Sequence, residues 1–160
     1  MEVVMNKFTS KKELFQRILD LKTLEKAPRN LDLKTVNPLV LAHIGDAYFS
    51  LFVRQKIISF GEIKINDLHK ISAEMVSAAS QKTAYEFLEQ NILTEEEKEI
   101  FRRGRNAKSH LKKNATVAVY HASTGFEALL GFYFLSGEKE RLEEIVEAAF
   151  WFIVENYVEE

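Results

Sequence analysis

Two stretches, LVLAHIGDAYFSLFVRQKII and STGFEALLGFYFL, are apolar over much of their circumference at helical spacing, and each carries one carboxylate, Asp46 and Glu127. Helices of this kind bury their apolar faces, so the chain has to fold as helices packed on helices. Leu39, Ala42, Phe49 and Val53 share much of the stripe of Asp46, which is therefore expected to face packing. Tyr120, Thr124 and Gly131 flank Glu127 in the same way. An unpaired carboxylate in such a place is costly or gives up its charge, so each of these residues is expected to hold something positive. A buried partner such as Arg54 would serve, and so would a metal ion. Gly45 and Gly131 each cost a helix interior about 1 kcal/mol relative to alanine, which is expected to permit close approach of another helix or a ligand.

The remaining sequence keeps the helical period, and no alternating run bounded by turn residues demands a strand. The expected fold class is all-α. Ser10 with Glu13 forms a capping box ahead of a first helix that stops before Pro28. Asn37 and Pro38 open a second helix running to about Phe60, with Gly61 as its stop. A third starts near Asn66 and Asp67 and is read as running on to Leu88. Thr94 with Glu97 is a second capping box, opening a short acidic helix that ends in FRRG, where Gly104 is expected to break it. Thr116 or a neighbour starts the helix of Glu127, Gly137 stops it, and a last amphipathic helix fills Lys139 to about Val158.

With 160 residues, 46% of them hydrophobic, one domain spanning 1–160 is expected. There is no cysteine, which excludes disulfides and cysteine-based zinc sites. Neither a signal-peptide layout nor an uncharged apolar run of about 18 residues is present, so a soluble cytoplasmic protein with no membrane partner is expected. The net charge of −2 conceals a segregation. Arg102, Arg103, Arg105, Lys108, Lys112 and Lys113 follow one another with no acid among them, whereas Glu138 to Glu160 holds eight acids against Lys139 and Arg141. The basic stretch coincides with the one long irregular segment, about Gly104 to Ala115, and long irregular segments in compact domains are often functional. Arg105 and Asn106 offer planar donors and the lysines point charges to phosphates. With no aromatic residue to stack on an unpaired base, the segment suits duplex RNA better than single strands. Two acids and a basic loop in one small domain suit a magnesium-dependent phosphodiesterase.

The histidines add little to that chemistry. His43 lies near Asp46 in sequence, and packing is the better reading for it. His121 is poorly placed as a catalytic base, His110 belongs to the basic loop, and His69 reads as a surface residue. No HExxH motif or serine nucleophile elbow occurs.

LAHIGDAYFSLFVRQ, FRRGRNAKS and STGFEALLGFYFL, in that order, resemble the ribonuclease III catalytic domain, and specifically its compact bacterial branch, the mini-ribonuclease III enzymes. The resemblance covers nearly the whole chain. It implies an all-α, homodimeric endoribonuclease that cleaves double-stranded RNA to 5′-phosphate and 3′-hydroxyl ends. For the compact branch it further implies maturation of large-subunit (23S) ribosomal RNA precursor without a separate double-stranded RNA-binding domain. Asp46 and Glu127 are then the catalytic residues and the ligands of Mg2+. Arg102, Arg103, Arg105, Asn106, Lys108, Lys112 and Lys113 are the expected RNA contacts. The broader family carries acids where this chain has Leu39, Ala42 and Thr124, so the ligand set is reduced to two. That reduction also motivates an alternative, a noncatalytic RNA-binding or ribosome-assembly protein on the same fold. Tyr48, Leu51 and Phe52, beside Phe49 and Val53, give the second helix more apolar surface than one stripe, which a partner subunit would cover.

Overall fold

A computed structural model of the chain describes residues 10–23, 31–107 and 115–159. All regular structure among the described residues is helical, as expected. The chain divides into two compact units, residues 1–31 and 32–160. The first contains α1 (Lys11–Thr23). Its capping box is formed: the Ser10 hydroxyl accepts from the Glu13 amide at 3.2 Å, and the Glu13 carboxylate accepts from the Ser10 amide at 3.3 Å. Pro28 lies outside the described residues.

The second unit holds α2 (Pro38–Ile58), α3 (Ile65–Met75), α4 (Ala78–Asn91), α5 (Glu95–Arg105), α6 (Ala115–Ser136) and α7 (Lys139–Glu159). Asn37 caps α2 by accepting from the Leu39 amide at 3.0 Å, and Pro38 occupies the first turn, where its missing N–H has no cost. Gly61 and Gly137 lie just beyond the ends of α2 and α6 with positive φ, which is why the chain turns there. The Thr94–Glu97 capping box is formed as well. Glu97 has a second duty, since its buried carboxylate pairs with the Arg141 guanidinium at 2.8 and 3.0 Å and so joins the start of α5 to α7.

Two boundaries differ from the sequence expectation. The segment 65–88 is not one helix, because Ser77 caps a new one: its hydroxyl accepts from the Ser80 amide at 3.2 Å while the Ser80 hydroxyl donates to the Glu74 carbonyl at 2.8 Å. The apolar period runs through this junction and hides it. Gly104 does not break α5 either. It is buried within the helix, where an added Cβ would lie 2.8 Å from the Ala128 side chain.

The core centres on α6, buried at nearly every position from Ala122 to Gly131. Helices α2, α4, α5 and α7 pack around it. Phe49 of α2 meets Phe126 of α6 edge to face at 5.3 Å, in the geometry that aromatic quadrupoles favour. The tightest contact is between α2 and α6 themselves. A Cβ on Gly45 would overlap the Glu127 carbonyl, and one on Gly131 would overlap the Leu41 carbonyl. One contact advances along α2 as the other retreats along α6, so the helices run antiparallel with their backbones touching. The obstructing atoms are main chain on both sides and side-chain repacking cannot relieve them. Gly45→Ala and Gly131→Ala are each expected to lower stability by roughly 3 kcal/mol or more, at the upper end of overpacking costs. Urea unfolding measures this, and a loss below about 1 kcal/mol would show that the crossing is looser than described.

Candidate active site at the crossing of the two glycine helices

Because Gly45 rests on the main chain of Glu127, Asp46 follows immediately after the contact and the two carboxylates come together. They are close enough for the charge of Asp46 to act on Glu127. The expectation that Asp46 faces packing is not met: its side chain is exposed. The buried stripe of α2 is Leu41, Ala42, Gly45, Phe49 and Val53, and Asp46 stands at its border, rotated about 100° from Gly45. Leu39, assigned to the same stripe, is also exposed.

Glu127 is more enclosed. Burial pushes its carboxyl up to about 7, and the negative charge of Asp46 pushes the same way. A hydrogen bond opposes them: Gln81 of α4 donates from Nε2 to Glu127 Oε1 at 3.0 Å. Sequence reasoning did not select Gln81. Its signal was a lone amide among Ala84, Tyr85 and Leu88 on the face by which α4 joins the core, a position where a hydrocarbon would be ordinary. Arg54 is exposed, and no ion pair to Asp46 or Glu127 exists among the described residues.

Thr124 turns its hydroxyl back to the Tyr120 carbonyl at 3.1 Å and serves the helix. His43 is exposed on α2, and His69 is exposed as expected. His121 donates from Nδ1 to the Arg105 carbonyl at 2.8 Å, fastening the end of α5 to α6. The basic side chains differ in availability. Arg102 is engaged by Glu99, and Arg103 is half-buried and donates to the Val36 carbonyl at 3.3 Å. Arg105 and Asn106 are exposed; Arg105 lies over the Phe101 ring and donates to the Asn106 side chain at 3.2 Å. Lys108, His110, Lys112 and Lys113 lie outside the described residues.

Two carboxylates from adjacent helices, with no ion-pair partner among the described residues and with Asp46 working against the ionisation of Glu127, form a pair that a divalent cation would stabilise. No cluster of three or more histidine or acidic side chains suited to a metal occurs among the described residues, so a metal here would depend on these two acids and its own waters. The Ribonuclease III domain family matches residues 39–138, which include the whole crossing. The chain belongs to the ribonuclease III family. Among its relatives are proteins named Mini-ribonuclease 3 from Symbiobacterium thermophilum and Enterococcus faecalis. They are 46% and 44% identical to it, covering 74% and 72% of this chain and 92% and 89% of theirs. A crystal structure of a Fusobacterium nucleatum protein matches with a TM-score of 0.63 at 30% identity, over 72% of this chain and 93% of that one.

The chain is therefore an endoribonuclease of the ribonuclease III type, a family that acts on double-stranded RNA, generally with a divalent metal and typically as a dimer. No helix among the described residues is long and apolar enough to cross a membrane.

The raised Glu127 carboxyl links stability to pH. Below its ordinary value of 4.5 the acid is protonated folded or unfolded, and between there and about 7 only the folded state retains the proton. Stability present at low pH is thus lost as pH rises through that window. Glu127→Gln removes this loss. Without divalent ions, its melting temperature should exceed that of the native chain at pH 8, by a margin that closes as pH falls towards 4.5. A margin that does not change with pH would contradict the assigned cause.

Proposed function

We propose that the protein cleaves double-stranded RNA at the α2–α6 crossing, with Asp46 and Glu127 holding Mg2+, and that its substrate is a large-subunit ribosomal RNA precursor. The observation that carries the site assignment is the convergence, at a backbone contact inside the family match, of two carboxylates with no ion-pair partner among the described residues. Glu127 supplies an enclosed oxygen ligand and Asp46 an exposed one, so the pair borders solvent on the side from which a phosphate can approach. When bound, the ion supplies a water acidified for in-line attack and offsets the charge that develops on the phosphate. The ribosomal substrate rests on the likeness to the Mini-ribonuclease 3 relatives. The catalytic domain is built on the second unit, within which the family match falls.

Duplex binding would use the C-terminal end of α5, where Arg105 and Asn106 reach solvent. Lys108, Lys112 and Lys113 follow in sequence and extend the same charge. Arg102 and Arg103 contribute field more than contact, since each has a protein partner. A homodimer is supported by α2, on which Val40, Leu51 and Ile58 are more than half exposed beside Leu39 and His43. A second copy covering this stripe would set the two sites against the two strands of one duplex. We place the activity in the cytoplasm, where such a precursor is made.

The direct test is cleavage of duplex and single-stranded RNA with Mg2+ and with chelator. Duplex cleavage requiring Mg2+ is expected. Asp46→Asn should reduce it by at least roughly a hundredfold, beyond the loss typical of a ligand's outer partners, while duplex binding persists. Retained turnover in Asp46→Asn would remove the assignment. Arg105→Ala should leave the chemistry and flatten the dependence of log affinity on log salt by about one unit. An unchanged slope would take Arg105 out of the RNA interface.

A further inference from the structure

Gln81 is buried to within 1% of full enclosure, yet its amide is only half satisfied. Nε2 donates to the Val76 carbonyl at 3.0 Å and to Glu127 Oε1 at 3.0 Å, while its own Oε1 has no partner among the described residues. The amide cannot improve matters by flipping, because that would turn its oxygen towards the Val76 carbonyl. The Val76 carbonyl belongs to the α3–α4 junction, where Ser77 starts a new helix, so the far end of the amide is anchored by the break itself. An orphaned buried acceptor is a net cost that a leucine or methionine would not carry.

We propose that Gln81 is a positioning residue: its anchored amide fixes the orientation of the Glu127 carboxylate, so that one oxygen is held and the other is left to face a divalent cation shared with Asp46. This deepens the function proposed above and rests on it. A carboxylate on a glutamate side chain can rotate about its last bond. One hydrogen bond from a rigid donor removes that freedom before the ion arrives. With only two acids at the crossing among the described residues, loss of orientation at either one weighs more than it would in a larger ligand set. Outer partners of metal ligands characteristically contribute about 10–100-fold in metal affinity or activity.

Gln81→Met keeps the length of the side chain and deletes both donors together with the orphaned acceptor. The measurement is Mn2+ binding to the free protein, followed by the loss of the free-ion electron paramagnetic resonance signal, at alkaline pH and without RNA. Thermal unfolding is recorded on the same samples. Gln81→Met should still fold and should bind Mn2+ about tenfold or more weakly. The Mn2+ concentration that half-saturates duplex cleavage should rise by the same factor. Gln81→Leu provides a second variant of the same character. Native Mn2+ affinity in either folded variant overturns the proposal, and so does failure of both to fold, which would make Gln81 a structural residue. Asp46→Asn separates this result from the underlying reading. If Asp46→Asn loses Mn2+ binding while Gln81→Met retains it, only the role of Gln81 fails. If Asp46→Asn binds Mn2+ as the native chain does, the two-carboxylate site fails, and the role of Gln81 with it.

Discussion

Backbone contact between α2 and α6 is the constraint on which the rest of the second unit depends. Two helices with ordinary side chains sit roughly 8–10 Å apart, held off by the groups between them. Gly45 and Gly131 remove those groups at two points one turn apart along each helix, and the main chains meet. Everything directly beside the contact is brought close as a consequence. Phe126 comes against Phe49, and Glu127 comes beside Asp46. A second pair of glycines works similarly on the other side of α6, where Gly104 lies against Ala128 and an added Cβ on Gly125 would come within 2.7 Å of the Phe101 ring. Helix α6 is thus gripped from two directions, in keeping with its burial at nearly every position from Ala122 to Gly131.

This arrangement opposes stability locally. Glu127 is enclosed, has a like charge beside it, and retains its proton to about 7 in the absence of a cation. The hydrogen bond from Gln81 offsets part of the cost and leaves an unsatisfied oxygen of its own. A buried carboxylate with a like charge beside it and a partner that is itself only half satisfied is the kind of local conflict that accompanies sites. The Glu97–Arg141 pair makes the contrast. It too is a buried carboxylate, but it has a bidentate partner and a capping role, and no function need be invoked for it.

Much of this was legible in the sequence because it is written in local chemistry. The Asn37–Pro38 start, both capping boxes and the stops at Gly61 and Gly137 each depend on residues within a turn of one another. Gly45 and Gly131 were also readable as places of close approach, since a glycine inside an apolar helix needs a reason. What escaped was set at a distance. Asp46 was assigned to a buried stripe because spacing shows which residues share a face and not where that face ends. Gly104 reads as a stop because its partners, Gly125 and Ala128, are more than twenty residues away. The α3–α4 break was masked by an apolar period that continues across it. Gln81 could be recognised only after α4 and α6 were seen side by side.

The hydrogen bond from His121 to the Arg105 carbonyl has a bearing on how such a protein can change over time. It fixes the chain on both sides of residues 108–114, so the take-off and landing points of that basic segment belong to the helical core. Closing a longer loop between fixed ends costs little, about 0.6 kcal/mol for each doubling of length. Changes of length or charge confined to residues 108–114 should therefore reach the α2–α6 crossing only through those two ends. The RNA contacts proposed for that segment can then change while the geometry of the carboxylates stays where the glycines put it.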